Sequence, residues 1–139
     1  QSGGLTICAI SEPTKERLRQ FRFAKSATMD AIVLKIDRES HELIIDEEMN
    51  DSSIEEVRES LPEQQPRFIL LNFAYKHEDG RVSYPMCLIF FSPSGCSPEQ
   101  QMLYAGSRNN LVRESEITKS MEIREQDELT QEYLESKVV

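Results

Sequence analysis

Apolar residues follow two patterns along this chain, one spaced at helical intervals and the other continuous. Ser11-Glu12-Pro13-Thr14 sets a hydroxyl cap, an acid and a proline where a helix begins, and Leu18 and Phe21 supply its apolar side. Residues 31–37 (AIVLKID) and 42–46 (ELIID) are β-rich runs parted by a short polar turn, which predicts a hairpin. Ser53-Ile54-Glu55-Glu56 is a capping box that starts a short helix, and Leu61-Pro62 stops it. Residues 67–76 (RFILLNFAYK) and 84–92 (YPMCLIFFS) are nearly unbroken apolar strands flanking residues 77–81, whose Asp79-Gly80 signals a turn. Strands apolar on both faces belong inside a sheet covered by helices on each side. Ser97-Pro98-Glu99 opens a long helix to about Arg113, a short strand follows at residues 121–124, and Asp127 is expected to cap a last helix to about Ser136. The order predicts one α/β domain, a central mixed sheet flanked on both faces by helices.

Composition narrows the class. The 139 residues suit a single domain, and Gln1-Ser2-Gly3-Gly4 is taken as a vector scar, leaving residues 5–139 as the folding unit. Sixteen basic against 25 acidic side chains give a net charge of −9, which argues against nucleic acid as a partner. No apolar stretch approaches the roughly 18 residues of a membrane span, and none at the N-terminus resembles a signal peptide, so a cytoplasmic monomer without membrane contact is expected. Three cysteines make no disulfide framework, and Cys87 in its apolar run suits a reduced thiol.

The charge is uneven. Residues 11–25 hold five basic and two acidic side chains, a local +3. Residues 37–63 hold eleven acidic and two basic, a local −9, and residues 114–139 add −5. Solvated faces account for acidic runs. A basic cluster against that background suggests a docking patch for an acidic protein. Lys15, Arg19 and Arg22, at i, i+4 and i+7, form one stripe within about 60°.

Catalytic chemistry is missing from the pattern. His41 and His77 lie in polar turns without partners at metal-ligand spacing, and the scattered cysteines make no zinc site. Cys96 precedes a helix N-terminus, but no base accompanies it. No glycine-rich phosphate loop occurs, and the adjacent Glu47 and Glu48 point to opposite faces of a strand. The expectation is a non-enzyme with no metal or cofactor.

The long helix carries two faces. Leu103, Tyr104, Ser107 and Leu111 form a core stripe, whereas Met102, Gly106, Asn109 and Arg113 cluster within about 60° elsewhere. A mid-helix glycine costs ~1 kcal/mol relative to alanine. Either a partner or a neighbouring element of the same fold approaches closely there, and spacing alone leaves both open.

At these residues the chain resembles the glia maturation factors, a branch of the actin-depolymerising-factor homology (cofilin-like) family. The most specific segments are Phe21-Arg22-Phe23, residues 61–68 (LPEQQPRF), residues 77–90 (HEDGRVSYPMCLIF) and residues 98–107 (PEQQMLYAGS). The resemblance implies a mixed sheet with helices on both faces. It also implies binding to the actin-related protein 2/3 complex at the cortical actin cytoskeleton, inhibition of branched nucleation, and debranching. Cofilin-like relatives usually carry a basic pair just before the helix methionine, where this chain has Glu99-Gln100-Gln101, so binding of actin itself is the weaker alternative. The site residues it implies are Met102, Gly106, Arg108, Asn109 and Arg113 on the long helix, with Arg19, Arg22 and Lys25 as the second part. The turn of His77, Glu78, Asp79 and Arg81 is implied to reach the first actin subunit of the daughter filament. Two departures from the family are Ala24, in place of a further basic residue, and the Lys137-Val138-Val139 end, without an aromatic tail.

Overall fold

The computed structural model describes residues 9–23, 25, 27–117 and 119–138, so the leading tetrapeptide, Cys8, Ala24 and Val139 lie outside the described residues. Its strands are β1 (Ala9–Ile10), β2 (Met29–Ile36), β3 (Glu42–Met49), β4 (Arg67–Phe73), β5 (Tyr75–Lys76), β6 (Val82–Ser83), β7 (Met86–Phe91) and β8 (Ser120–Ile123). Its helices are α1 (Glu12–Phe21), α2 (Ile54–Glu59), α3 (Pro98–Ser115) and α4 (Gln131–Val138). Six strands make a mixed sheet in the order β1-β3-β2-β4-β7-β8, while β5 and β6 form a separate ribbon.

The apolar runs of β2, β4 and β7 are buried on both faces, and their alternation sorts them into two cores. Ile32, Leu34, Phe68, Leu70, Leu88 and Phe90 meet Leu18 and Phe21 of α1 and Tyr104 and Leu111 of α3. Val33, Ile69, Leu71, Cys87, Ile89 and Phe91 meet Ile54 and Val57 of α2 and Leu134 of α4. This is the expected sheet with helices on both faces, and it puts α1 and α3 together on one side. Phe68 is central to that side, its ring 5.3 Å from Phe90 and 5.5 Å from Tyr104. The Tyr104 hydroxyl accepts the Ile36 N–H at 2.9 Å, tying α3 to the end of β2.

Three elements differ from the sequence expectation. The long strand predicted for residues 67–76 breaks at Ala74, and its partner begins at Met86 instead of Tyr84. Pro85 has no N–H to continue the ladder, its carbonyl takes the Phe73 N–H, and Ala74 bonds to Thr28. The chain beyond leaves the main sheet as the β5–β6 ribbon. Asp127 does not cap the last helix but sits inside a 3₁₀ turn, Gln126–Glu128. Burial of Leu129 in the α2–α4 core makes the chain extended there, and Thr130 Oγ1 caps α4 in place of Asp127 by accepting the Tyr133 N–H at 3.1 Å. The short β1, parallel to β3, has no signal in the apolar pattern.

A register shift between Val33 and Leu34 sets Glu47 opposite Val33 and Glu48 opposite Ile32. The two acids therefore do point to opposite faces, and the bulge delivers Glu48 to the α1 side. There Arg17 Nε donates to Glu48 Oε2 at 3.0 Å, and this contact holds the carboxyl below its ordinary pKa against the opposing effect of burial. A depressed folded-state pKa contributes stability above the unfolded value of about 4.3 and loses it as pH falls through the folded value. Glu48→Gln is therefore expected to melt a few degrees below the parent at pH 7, with the gap closing below about pH 4. Parallel thermal melts from pH 7 to pH 3 check this, and a gap independent of pH would overturn it.

Candidate functional site

Local sequence sets both helices of the face. The Ser11 hydroxyl accepts the Thr14 N–H at 3.4 Å and starts α1. The Ser97 hydroxyl accepts the Gln100 N–H at 3.2 Å and starts α3, with Pro98 in the first turn. Each helix turns apolar residues into the same core and leaves its other side in solvent.

On α3 the core stripe is Tyr104, Ser107, Leu111 and Ser115, with Leu103 partly buried beside it. The two serines survive burial because their hydroxyls return to helix carbonyls, Ser107 to Leu103 at 3.0 Å and Ser115 to Leu111 at 2.7 Å. Met102, Asn109 and Arg113 come out exposed and Gly106 half-buried. Met102 is 69% exposed, a large apolar side chain left in water without a core partner. Arg108, carried over with them by resemblance, lies elsewhere. About 100° from its neighbour Asn109, it bonds Ser120 Oγ at 2.9–3.1 Å, approaches Glu122 at 3.8 Å and covers the Phe90 ring. It pins α3 to β8.

The basic cluster of α1 is not bare. Lys15 pairs with Glu12 at 3.5 Å, Arg19 with Glu16 at 2.7 Å and Arg17 with Glu48. Arg22, which caps α1, pairs across the helices with Glu116 at 2.6 Å. Its guanidinium also lies 5.3 Å from the ring of Phe23, which is 75% exposed. Lys25 sits over the Tyr84 ring at 5.9 Å. These contacts connect the end of α3, through Glu116 and Arg22, to the end of α1, and Lys25 continues to the base of the ribbon.

The ribbon turn is rigidly built. The His77 carbonyl accepts the Gly80 N–H at 3.0 Å, and the His77 N–H returns to Arg81 at 2.8 Å. Gly80 has φ +93°, a left-handed conformation that disfavours side chains. Asp79 takes both the Arg81 N–H at 3.1 Å and its Nε at 2.9 Å, and these bonds hold its carboxyl below the ordinary range. His77 Nε2 meets Ser83 Oγ at 2.8 Å, and its ring stands edge-on to Tyr75. Glu78, Asp79 and Arg81 all project into solvent.

The two cysteines among the described residues are shielded. Burial pushes the Cys87 thiol up to about 12, and Cys96 is buried beside the α3 cap. Among the described residues no cluster of three or more His, Cys, Asp or Glu could hold a metal, and no helix is long and apolar enough to cross a membrane. Sequence reasoning missed Glu116 and Tyr84. The only local hint of Glu116 is its place after the last turn of a helix, and neither pairing leaves a spacing signal.

The arrangement is an exposed helix face flanked by paired cations and a projecting ribbon. Residues 7–139 match a family described as cofilin/tropomyosin-type actin-binding protein. The chain is 50% identical to glia maturation factor beta of Homo sapiens over 137 residues, covering 99% of this chain and 96% of that protein. It is 44% identical to the Drosophila melanogaster glia maturation factor over 132 residues, covering 95% of this chain and 96% of that protein. The solution structure of glia maturation factor from Caenorhabditis elegans superimposes with a TM-score of 0.84 at 58% identity, covering 99% of both chains.

Proposed function

We infer the function from the family: this chain belongs to the cofilin/tropomyosin-type actin-binding family, in its glia maturation factor branch, and we propose that it binds the actin-related protein 2/3 complex, restrains branched nucleation and removes branches. The observation that carries the reading is the solvent-facing row of Met102, Gly106, Asn109 and Arg113 on α3, joined at its end to Arg22 by Glu116. A protruding methionine beside a glycine lets a partner's backbone come close while an adaptable side chain fills its pocket. Arg19, Arg22 and Lys25 add the cationic part, suited to carboxylates on the partner. Arg108 contributes by holding α3 on the sheet. The ribbon turn of His77, Glu78, Asp79 and Arg81 is the second surface, directed at the first actin subunit of the daughter filament.

Glu99-Gln100-Gln101 in the first turn of α3 supports this reading over binding of actin alone. The resemblance puts a basic pair at this point in cofilin-like relatives, and an acid with amides offers an acidic actin surface no attraction. The activity needs no bond chemistry. Binding that is tighter to the branch-released state of the complex than to the branch-holding state shifts the equilibrium toward release. Single-filament imaging of pre-formed branched networks, with unbranched filaments in the same field, tests the proposal. Branches are expected to dissociate while bare filaments stay intact. Severing of bare filaments would instead assign the protein a cofilin-like role, and loss of neither would overturn both.

A further inference from the structure

Along the α1 stripe of Lys15, Arg19 and Arg22, Arg22 is distinguished by its partner. Lys15 and Arg19 pair with acids three residues back on their own helix turn, where such exposed contacts form and break readily. Arg22 pairs with an acid from another element, Glu116. That residue ends α3 in the left-handed conformation, φ 58° and ψ 32°, with its N–H on the Arg113 carbonyl. Glycine makes this helix stop without strain, so a glutamate here is held against its backbone preference. A strained position whose side chain makes a specific contact inside a candidate site points from geometry toward function.

Exposure of the pair gives the direction of the effect. The Glu116 side chain is 64% exposed against 31% for Arg22, so the carboxylate is the more accessible member from solvent. We propose that Glu116 is an internal competitor: in the free protein it occupies Arg22, and a docking partner's carboxylate must displace it. This rests on the reading that the α1–α3 face docks an acidic partner. A diffuse anionic surface gains little from a guanidinium already neutralised at 2.6 Å. A partner carboxylate placed to make the same short contact can take its place, so Glu116 sets specificity by discounting imprecise partners.

Five proteins test this, the parent, Glu116→Gln, Glu116→Gly, Arg22→Ala and the double variant of Glu116→Gln with Arg22→Ala, with affinity for the purified actin-related protein 2/3 complex measured at low and high salt. Glutamine keeps the left-handed backbone cost and removes only the charge. Glu116→Gln is expected to bind ~3- to 10-fold tighter at low salt, with the gain shrinking as salt screens it. Arg22→Ala is expected to bind about tenfold weaker, and the glutamine to add nothing in its background. Glu116→Gly, which also relieves the backbone, should match the glutamine variant in affinity and melt higher than it, and it stands in if the glutamine variant folds poorly. If Arg22→Ala weakens binding but neither Glu116 variant strengthens it, competition is overturned and the docking face stands. If Arg22→Ala leaves binding unchanged, the docking face is itself wrong and the competitor proposal falls with it.

Discussion

Replacing both Arg19 and Arg22 by glutamate is expected to weaken binding to the branch complex about 100-fold and to abolish debranching at concentrations where the parent is active. Each reversal removes an attraction and adds a repulsion, and about tenfold per site is a modest allowance for cations facing carboxylates. The two sites lie three residues apart on the end of one helix, so their effects need not add strictly. The fold should survive. The reversals place negative charge near Glu16 and Glu116 and at the negative end of the α1 dipole, which costs about 1–2 kcal/mol together. That is a few degrees of melting temperature for a domain of this size. Equilibrium binding, branch imaging and a thermal melt on one preparation check it. Undiminished debranching by a folded double variant would remove the α1 cations from the site.

The largest stability effect is expected at Phe68. It is fully buried in the core that α1 and α3 share, and it supports the rings of Phe90 and Tyr104. Phe68→Ala removes the transfer energy of the ring and leaves a cavity that strands β2 and β7, held by ladders on either side, are poorly able to fill. A cost of about 3–5 kcal/mol follows, against a total stability of roughly 5–15 kcal/mol for a typical domain. Urea unfolding should show a lower midpoint with an unchanged slope, since the surface exposed on unfolding is nearly the same. A loss under about 1.5 kcal/mol would mean that the core collapses around the gap. Binding should weaken as well, because Tyr104 packs α3 against this ring and bonds it to Ile36.

Much of the candidate site was legible in the chain because helix faces follow from spacing. The separation of Met102, Gly106, Asn109 and Arg113 from the Tyr104–Leu111 stripe is a matter of about 100° per residue, and the structure keeps it. Arg108 shows the limit of that reasoning. Its neighbour Asn109 faces solvent, but its own direction meets Ser120 and Glu122, and nothing local to α3 says that β8 lies there. The basic cluster shows a second limit. Counting charges gives residues 11–25 a local +3, yet Glu48 and Glu116, from distant elements, neutralise Arg17 and Arg22 at short range.

The fold divides in the same way. Continuous apolar runs at β2, β4 and β7, the serine caps of α1, α2 and α3, and the turn at Gly80 are consequences of backbone preference and burial that act within a few residues. They determined the element order, the layered class and the faces of the helices. The turn of the chain at Ala74 toward Thr28, the short β1, the bulge that turns Glu48 toward Arg17, and the 3₁₀ turn around Asp127 were decided by tertiary contacts. In each of these a hydrogen bond or a buried side chain from a remote element outweighs a local preference of about 1 kcal/mol or less. The pairing of Arg22 with Glu116 belongs to that second group, because only the packing of α1 beside α3 brings residues 94 positions apart to 2.6 Å.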